Sequence, residues 1–172
     1  MPSNKKRLYI ALYPSGTVNN EERKYHWAFL IGPKEERNDV VPGKHCHVKN
    51  SPFGWVYEGV KIKNVRNTDN LLARIVIAKV EDEERLLNLF RHLPVVQGNP
   101  EWRCRTWIAS ALAEIAKDGE CVGTAELDWE KIEAIAREYV GEKTAGGRYE
   151  SAADIMQPKP TWDMLENKES VS

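Results

Sequence analysis

Residues able to move protons and acyl groups fall in a suggestive order along this chain: His26, then His45 and His47, then Cys104. A thiol at its ordinary pKa of about 8.5 is mostly protonated and unreactive near neutrality. A histidine within hydrogen-bond reach can take that proton, and a second polar group can fix the histidine's tautomer. That is one reading of the set. A second is a zinc site built from His26, His45, His47 and Cys104, because two histidines on one strand face are good ligands. Their spacing fits no standard zinc motif. A third reading is plain structure, with the cysteine as a small core residue and the histidines satisfied inside a sheet.

The elements that must position these groups can be read from periodicity. In "NPEWRCRTWIASALAEIA", residues 99–116, Asn99 reads as an N-cap and Pro100 as the first helical position. Cys104, Trp107, Ile108, Ala111, Leu112 and Ile115 then form one apolar stripe. If the helix starts at Pro100, the thiol sits one turn in, where the field of the helix end has faded. If residues 99–103 form a turn, Cys104 stands at the true start, beside free N–H groups able to stabilise an oxyanion. "YHWAFLI" (25–31) reads as a strand with His26, Ala28 and Leu30 on one face and Trp27 and Phe29 on the other. "KHCHVK" (44–49) reads as a short strand with His45 and His47 on one face and Cys46 opposite.

The remaining segments follow the same logic. "RLYIALY" (7–13) is a strand that pairs with 25–31 through the turn-rich loop "PSGTVNNEER". Residues 34–43 form a charged loop, 55–63 an alternating strand, and "LLARIVIAKV" (71–80) the most apolar, central strand. Residues 81–93 are a helix with an acidic first turn, ended by Pro94, and the cysteine helix stops near Asp118-Gly119. A third helix spans 129–141, capped by Asp128 or Thr124 and stopped by Gly141. Strands first and helices later predict an α+β fold, with a mostly antiparallel sheet and about three helices on one side. Residues 1–145 are expected to form one catalytic domain and 146–172 a partly irregular C-terminal arm anchored by Ile155, Met156, Trp162, Met164 and Leu165.

Composition bounds the function. The chain has 172 residues, 41% hydrophobic and 30% charged, as in a globular domain. Its net charge of −1 provides no general attraction to nucleic acid. A local patch from residues 4–7 and 103–105 could serve such a partner instead. No run approaches the roughly 18 apolar residues of a membrane span, and the basic start "MPSNKKRLYIALYPSG" reads as a first strand rather than a signal peptide. Three widely spaced cysteines fit a reducing, cytoplasmic setting. Arg103 and Arg105 flank the thiol, where they would lower its pKa or hold an anionic part of a substrate. Trp27 and Tyr13 are further candidates for contacting substrate, and Tyr13 or Tyr9 for donating to an oxyanion.

The three chemical positions also carry a resemblance. "YHWAFLIGP" resembles the H-W-x-x-h-h-G strand (h, apolar) of the circularly permuted papain-like families, which include the lecithin:retinol acyltransferase group and permuted NlpC/P60-type peptidases. There the catalytic histidine comes first, a strand with a second polar residue follows, and the nucleophilic cysteine opens a later helix. "GKHCHVKNSP" resembles the second strand and "RCRTWIASAL" the cysteine helix. The resemblance spans about residues 8–116. It departs at Arg103, where asparagine is common, and in a longer segment between His26 and His47. The whole chain is also similar to a large set of small fungal proteins, which supplies no activity.

The resemblance implies a permuted papain-like fold and acyl transfer through a thioester on Cys104. His26 would be the base, His47 the orienting residue, and His45 the next best choice. No cofactor is implied. The substrate would be a small acyl compound or peptide, with aminoacyl esters, including aminoacyl-tRNA, among the donors. The competing expectation is a binding module on the same fold, with an inert site and an arm that mediates association.

Overall fold

The computed structural model describes residues 4–172. Residues 1–3, the first part of the basic start, lie outside it. The element order is β1 (Arg7–Pro14), β2 (Tyr25–Gly32), β3 (Gly43–Ser51), β4 (Gly54–Ile62), β5 (Ala73–Val80), α1 (Glu83–His92), α2 (Cys104–Asp118), β6 (Val122–Ala125), α3 (Trp129–Ala145), α4 (Ala152–Met156), β7 (Thr161–Asp163) and β8 (Lys168–Val171). The fold is α+β. The strands form one sheet in the order β4-β3-β2-β1-β5-β7-β8, with β6 sharing an edge of β5 with β7. Every pairing is antiparallel except β5 with β7.

Strand alternation divides the interior in two. Leu8, Ile10, Leu12, Trp27, Phe29, Ile31, Ile75 and Ile77 point toward the helices and pack on Leu86, Phe90, Trp107, Ile108 and Leu112. Phe29 stacks on Phe90 at 4.7 Å and meets Trp107 edge-on at 5.7 Å. The apolar stripe of α2 is buried as its spacing requires, from Cys104 to Ile115. The other sheet face carries a smaller cluster of Tyr9, Ala11, Tyr13, Ala28, Leu30, Leu71 and Val76.

That second face is closed by the charged loop between β2 and β3. Glu36 reaches in to grip Arg74 with two hydrogen bonds, at 2.7 and 2.8 Å. Arg74 is completely buried; its Nε donates to Thr161 Oγ1 at 3.0 Å, and its guanidinium lies 4.4 Å from the ring of Tyr9. Tyr9 is therefore committed to this pair and does not serve as an oxyanion donor.

The structure decides the alternatives left open by the sequence and moves one helix end. Helix α2 begins at Cys104, not Pro100. Asn99 accepts from Glu101 N–H through its side chain at 2.9 Å and from Trp102 N–H through its carbonyl at 3.1 Å, so Pro100 and Glu101 form a turn instead of a first helical turn. Helix α3 runs through Gly141 to Ala145, held by buried Tyr139 and Val140 and by Thr144 donating to the Val140 carbonyl at 2.8 Å. Its cap is Asp128, because Thr124 lies in the unexpected strand β6. The C-terminal segment adds β7 and β8 to the sheet, with Trp162 and Met164 packed against the main core and Leu165 against the second face.

Removing one member of a buried ion pair strands the other charge, at a cost of about 3–5 kcal/mol. Glu36→Ala is expected to lower unfolding stability by about 3 kcal/mol in urea titrations. A loss below about 1 kcal/mol would show that Arg74 is hydrated and that the loop does not lock this face.

Candidate active site

The site forms where one ladder stops. Pairing of β2 with β3 covers only Phe29–Ile31 against Lys44–Cys46, and His26 and Trp27 lie beyond its end. A cavity of about 470 Å³ opens there. It is lined from the second face by Tyr13, His26 and His45, and from the helix face by Trp55 and Cys104. The loop between β1 and β2 forms one wall. Arg105 holds that loop through Glu22 at 2.6 Å and ties it to α3 through Glu133 at 3.3 Å. Arg137 adds hydrogen bonds to the carbonyls of Glu21 and Glu22, at 2.8 and 3.1 Å.

Cys104 is the first residue of α2. The first helical bond runs from Trp107 N–H to the Arg103 carbonyl at 3.1 Å, so the N–H groups of Cys104 and Arg105 have no acceptor within the helix. The thiol is 7% exposed and lies against the backbone N–H groups of Trp27 and Arg105. Burial pushes its pKa up; those N–H groups, then Arg103 and Arg105, pull it down without overcoming burial. Cys46 and Cys121 are also buried, and none of the three is in a disulfide.

The histidines are joined in a chain. His26 Nε2 is 2.8 Å from His47 Nδ1, and His47 Nε2 is 3.1 Å from Glu58 Oε1. Lys49 takes the other Glu58 oxygen at 2.6 Å. Hydrogen bonds from Lys49, then from His47, hold the Glu58 carboxyl below its usual range, so it is ionised and can only accept. Burial lowers the pKa of His47, and burial followed by the neighbouring His47 lowers that of His26 to about 4. Both rings are therefore neutral near pH 7. Each assignment then fixes the next. Glu58 requires a proton on His47 Nε2, which leaves His47 Nδ1 with a lone pair. That lone pair requires a proton on His26 Nε2, which leaves His26 Nδ1 with a free lone pair. His26 Nδ1 has no hydrogen-bond partner among the described residues, Cys104 included. The resting arrangement is a neutral thiol and a neutral imidazole facing one cavity.

The structure thus separates the sequence candidates. His47, not His45, bonds to His26. His45 stacks on His47 at 4.2 Å, and its buried Nε2 has no partner among the described residues. The Tyr13 hydroxyl shares a 2.8 Å hydrogen bond with Thr68, and its ring packs on His26 and His45. The Trp27 ring is sealed in the core against Trp129 at 5.0 Å, so it lines the site with its main chain and does not offer its ring to a substrate. Arg105 is spent on Glu22 and Glu133, while the Arg103 guanidinium has no carboxylate partner among the described residues. Residues 4–7 and 103–105 do not form one patch: Arg7 and the cavity residue Tyr13 are at opposite ends of β1, and Lys5 and Lys6 pair with Glu81 and Glu83. Among the described residues no group of three or more potential ligands is arranged for a metal, and the nearest nitrogens of His26 and His47 are directed at each other. No helix among the described residues is long and apolar enough to cross a membrane.

Glu58 is the functional candidate the sequence reading missed. Ser51 pairs with Gly54 around the two-residue turn Pro52-Phe53, and counting back along that hairpin places His47 opposite Glu58. The signal was present once the turn was fixed.

The fold and site define an α+β domain with a thiol at a helix start and a carboxylate–imidazole–imidazole chain opening on one cavity. The chain belongs to a family of unknown function, DUF6914, whose model matches residues 5–171. No curated protein and no solved structure matches it.

The proton chain has a spectroscopic signature. ¹⁵N NMR of the imidazoles at pH 7 is expected to find His26 and His47 both neutral with the proton on Nε2, and His26 titrating near 4 rather than about 6.5. An Nδ1–H tautomer at His26, or an ordinary titration, would refute the ordering imposed by Glu58.

Proposed function

We propose that this protein is a cysteine-dependent acyl hydrolase or acyltransferase that works through a thioester on Cys104. The observation that carries the reading is the hydrogen-bonded chain from Glu58 through His47 to His26, which leaves one nitrogen of His26 without a partner on a residue that lines the same cavity as Cys104. Such a chain is costly without purpose, because two imidazoles with pKa lowered by burial sit on strands where apolar side chains would pack. The order of the three motifs in the permuted papain-like families supports the same roles.

The chemistry runs in two halves. An acyl donor enters the cavity, and His26 Nδ1 takes the proton of the Cys104 thiol as Sγ bonds to the carbonyl carbon. The carbonyl oxygen gains the negative charge and meets the free N–H groups at the start of α2. Collapse breaks the bond to the leaving group, which receives the proton from His26, and a thioester remains. Water or an amine or alcohol then gives its proton to His26 and attacks the thioester. The carbon–sulfur bond breaks, the proton returns to Sγ, and the product leaves. His47 and Glu58 keep the His26 ring oriented and stabilise its charge while it is an imidazolium. The proton is transferred during attack, since the resting pair is neutral. The substrate is a small acyl compound or a peptide, and the free thiols suit a cytoplasmic setting.

The test uses an activated ester such as p-nitrophenyl acetate, with mass spectrometry locating the acyl group. Acylation is expected at Cys104, abolished in Cys104→Ser and slowed about 10²–10⁴-fold in His26→Ala. The neutral base is required, so the rate should fall as pH drops through about 4, the His26 value, and hold steady above it toward the thiol's own ionisation. Acetylation spread over surface lysines and indifferent to both substitutions would leave a binding module as the function.

A further inference from the structure

The cavity carries charge that the proton chain does not use. Arg103 immediately precedes the thiol, lines the cavity and is half-buried, with no carboxylate partner among the described residues. Arg23, on the wall loop, is likewise half-buried and cavity-lining. Its guanidinium makes one long hydrogen bond, 3.5 Å to the Pro100 carbonyl, and no ion pair among the described residues. Pro100 belongs to the turn that leads into Arg103, so the two cations reach the cavity from separate elements that meet at this turn. The nearby Arg105 shows the contrast, because Glu22 and Glu133 neutralise it. Lys49 is neutralised by Glu58. The acidic residue Asp69 also lines the cavity, but it is exposed and belongs to the segment beside Tyr13.

The position of Arg103 runs against local preference. It is the N-cap of α2, where a side-chain acceptor or an acidic residue is favoured, and the first turn holds no acid at all. A half-buried cation carried by the N-cap residue of a helix, lining a cavity and left without a carboxylate partner among the described residues, marks a conflict that a bound anion would relieve. Resting on the acyl-transfer reading, we infer that Arg103 and Arg23 form an anion subsite, so the acyl donor carries a carboxylate or phosphate group close to the carbonyl that Cys104 attacks. Guanidinium recognises either group through paired N–H donors.

Two alkylating reagents that differ by one charge test this directly. Iodoacetate and iodoacetamide are compared at Cys104 by mass spectrometry, in the full chain, with N-acetylcysteine as the reference thiol. The iodoacetate-to-iodoacetamide rate ratio is used because any change in thiol ionisation affects both reagents alike. The ratio at Cys104 is expected to exceed that of N-acetylcysteine by about tenfold, to fall in 0.5 M NaCl, and to return toward the reference in Arg103→Gln and Arg23→Gln. Protection of Cys104 from iodoacetate by inorganic phosphate or by acetate then tells which anion the subsite prefers. A ratio equal to that of N-acetylcysteine, unmoved by either substitution, overturns the subsite. Loss of the acyl-transfer reading looks different: His26→Ala would leave both rates unchanged, whatever their ratio.

Discussion

The hydrogen bond between His26 and His47 is the constraint on which the site depends. It crosses from β2 to β3 just beyond the last paired residues of that ladder, and Glu58 on β4 anchors it from the far side. Three adjacent strands thus contribute one group each, and their register decides which nitrogen of each ring carries a proton. A one-residue slip in either hairpin would turn the histidine to the opposite face and break the chain. The burial that lowers both imidazoles is what keeps them neutral, and neutrality is what lets a carboxylate dictate their tautomers.

The same local opening accounts for the thiol. A continuous β2–β3 ladder would occupy the Trp27 backbone and shut the two faces of the sheet from each other. Because the ladder stops at Phe29, the Trp27 N–H is free to meet Sγ, and a helix start can approach from the helix side. The turn at Asn99-Pro100-Glu101 sets where that helix begins. Trp102, nearly buried against Trp55, pins the turn to the core. The rest of the architecture serves to hold these parts still. Loop 15–24 is tied down by Arg105 and Arg137, and Glu36 locks the opposite face onto Arg74.

Much of this was legible in the sequence, for identifiable reasons. Alternation in "YHWAFLIGP" and "KHCHVK" separated the histidines from the core residues, because a strand has one simple period. The stripe from Cys104 to Ile115 was equally plain. The helix start was not, since Asn-Pro serves both as a cap with a first helical residue and as a turn, and only the packing of Trp102 decides between them. Gly141 misled because a glycine stops a helix only when the chain needs a left-handed residue there, and α3 continues past it with Thr144 bonded back to the Val140 carbonyl and Lys143 paired with Glu169. Arg105 and Trp27 could not be told from substrate-binding residues before their partners were known. Glu58 required counting a register across a hairpin instead of reading residues near the motif. Strands β6, β7 and β8 are three or four residues long, too short to show a period.

In the proposed reaction, His26 takes the proton of Cys104. The direct measurement is the rate of Cys104 alkylation by iodoacetamide from pH 5 to pH 10, in the wild type and in His26→Ala. Internal proton transfer within a neutral pair does not depend on pH between the two ionisations. The wild type should therefore keep a plateau of reactivity through neutral pH, while His26→Ala should lose it and rise only as the buried thiol itself ionises. Coincident curves, both rising with hydroxide, would mean that the two residues share a cavity without sharing a proton, and the acyl-transfer account would fall.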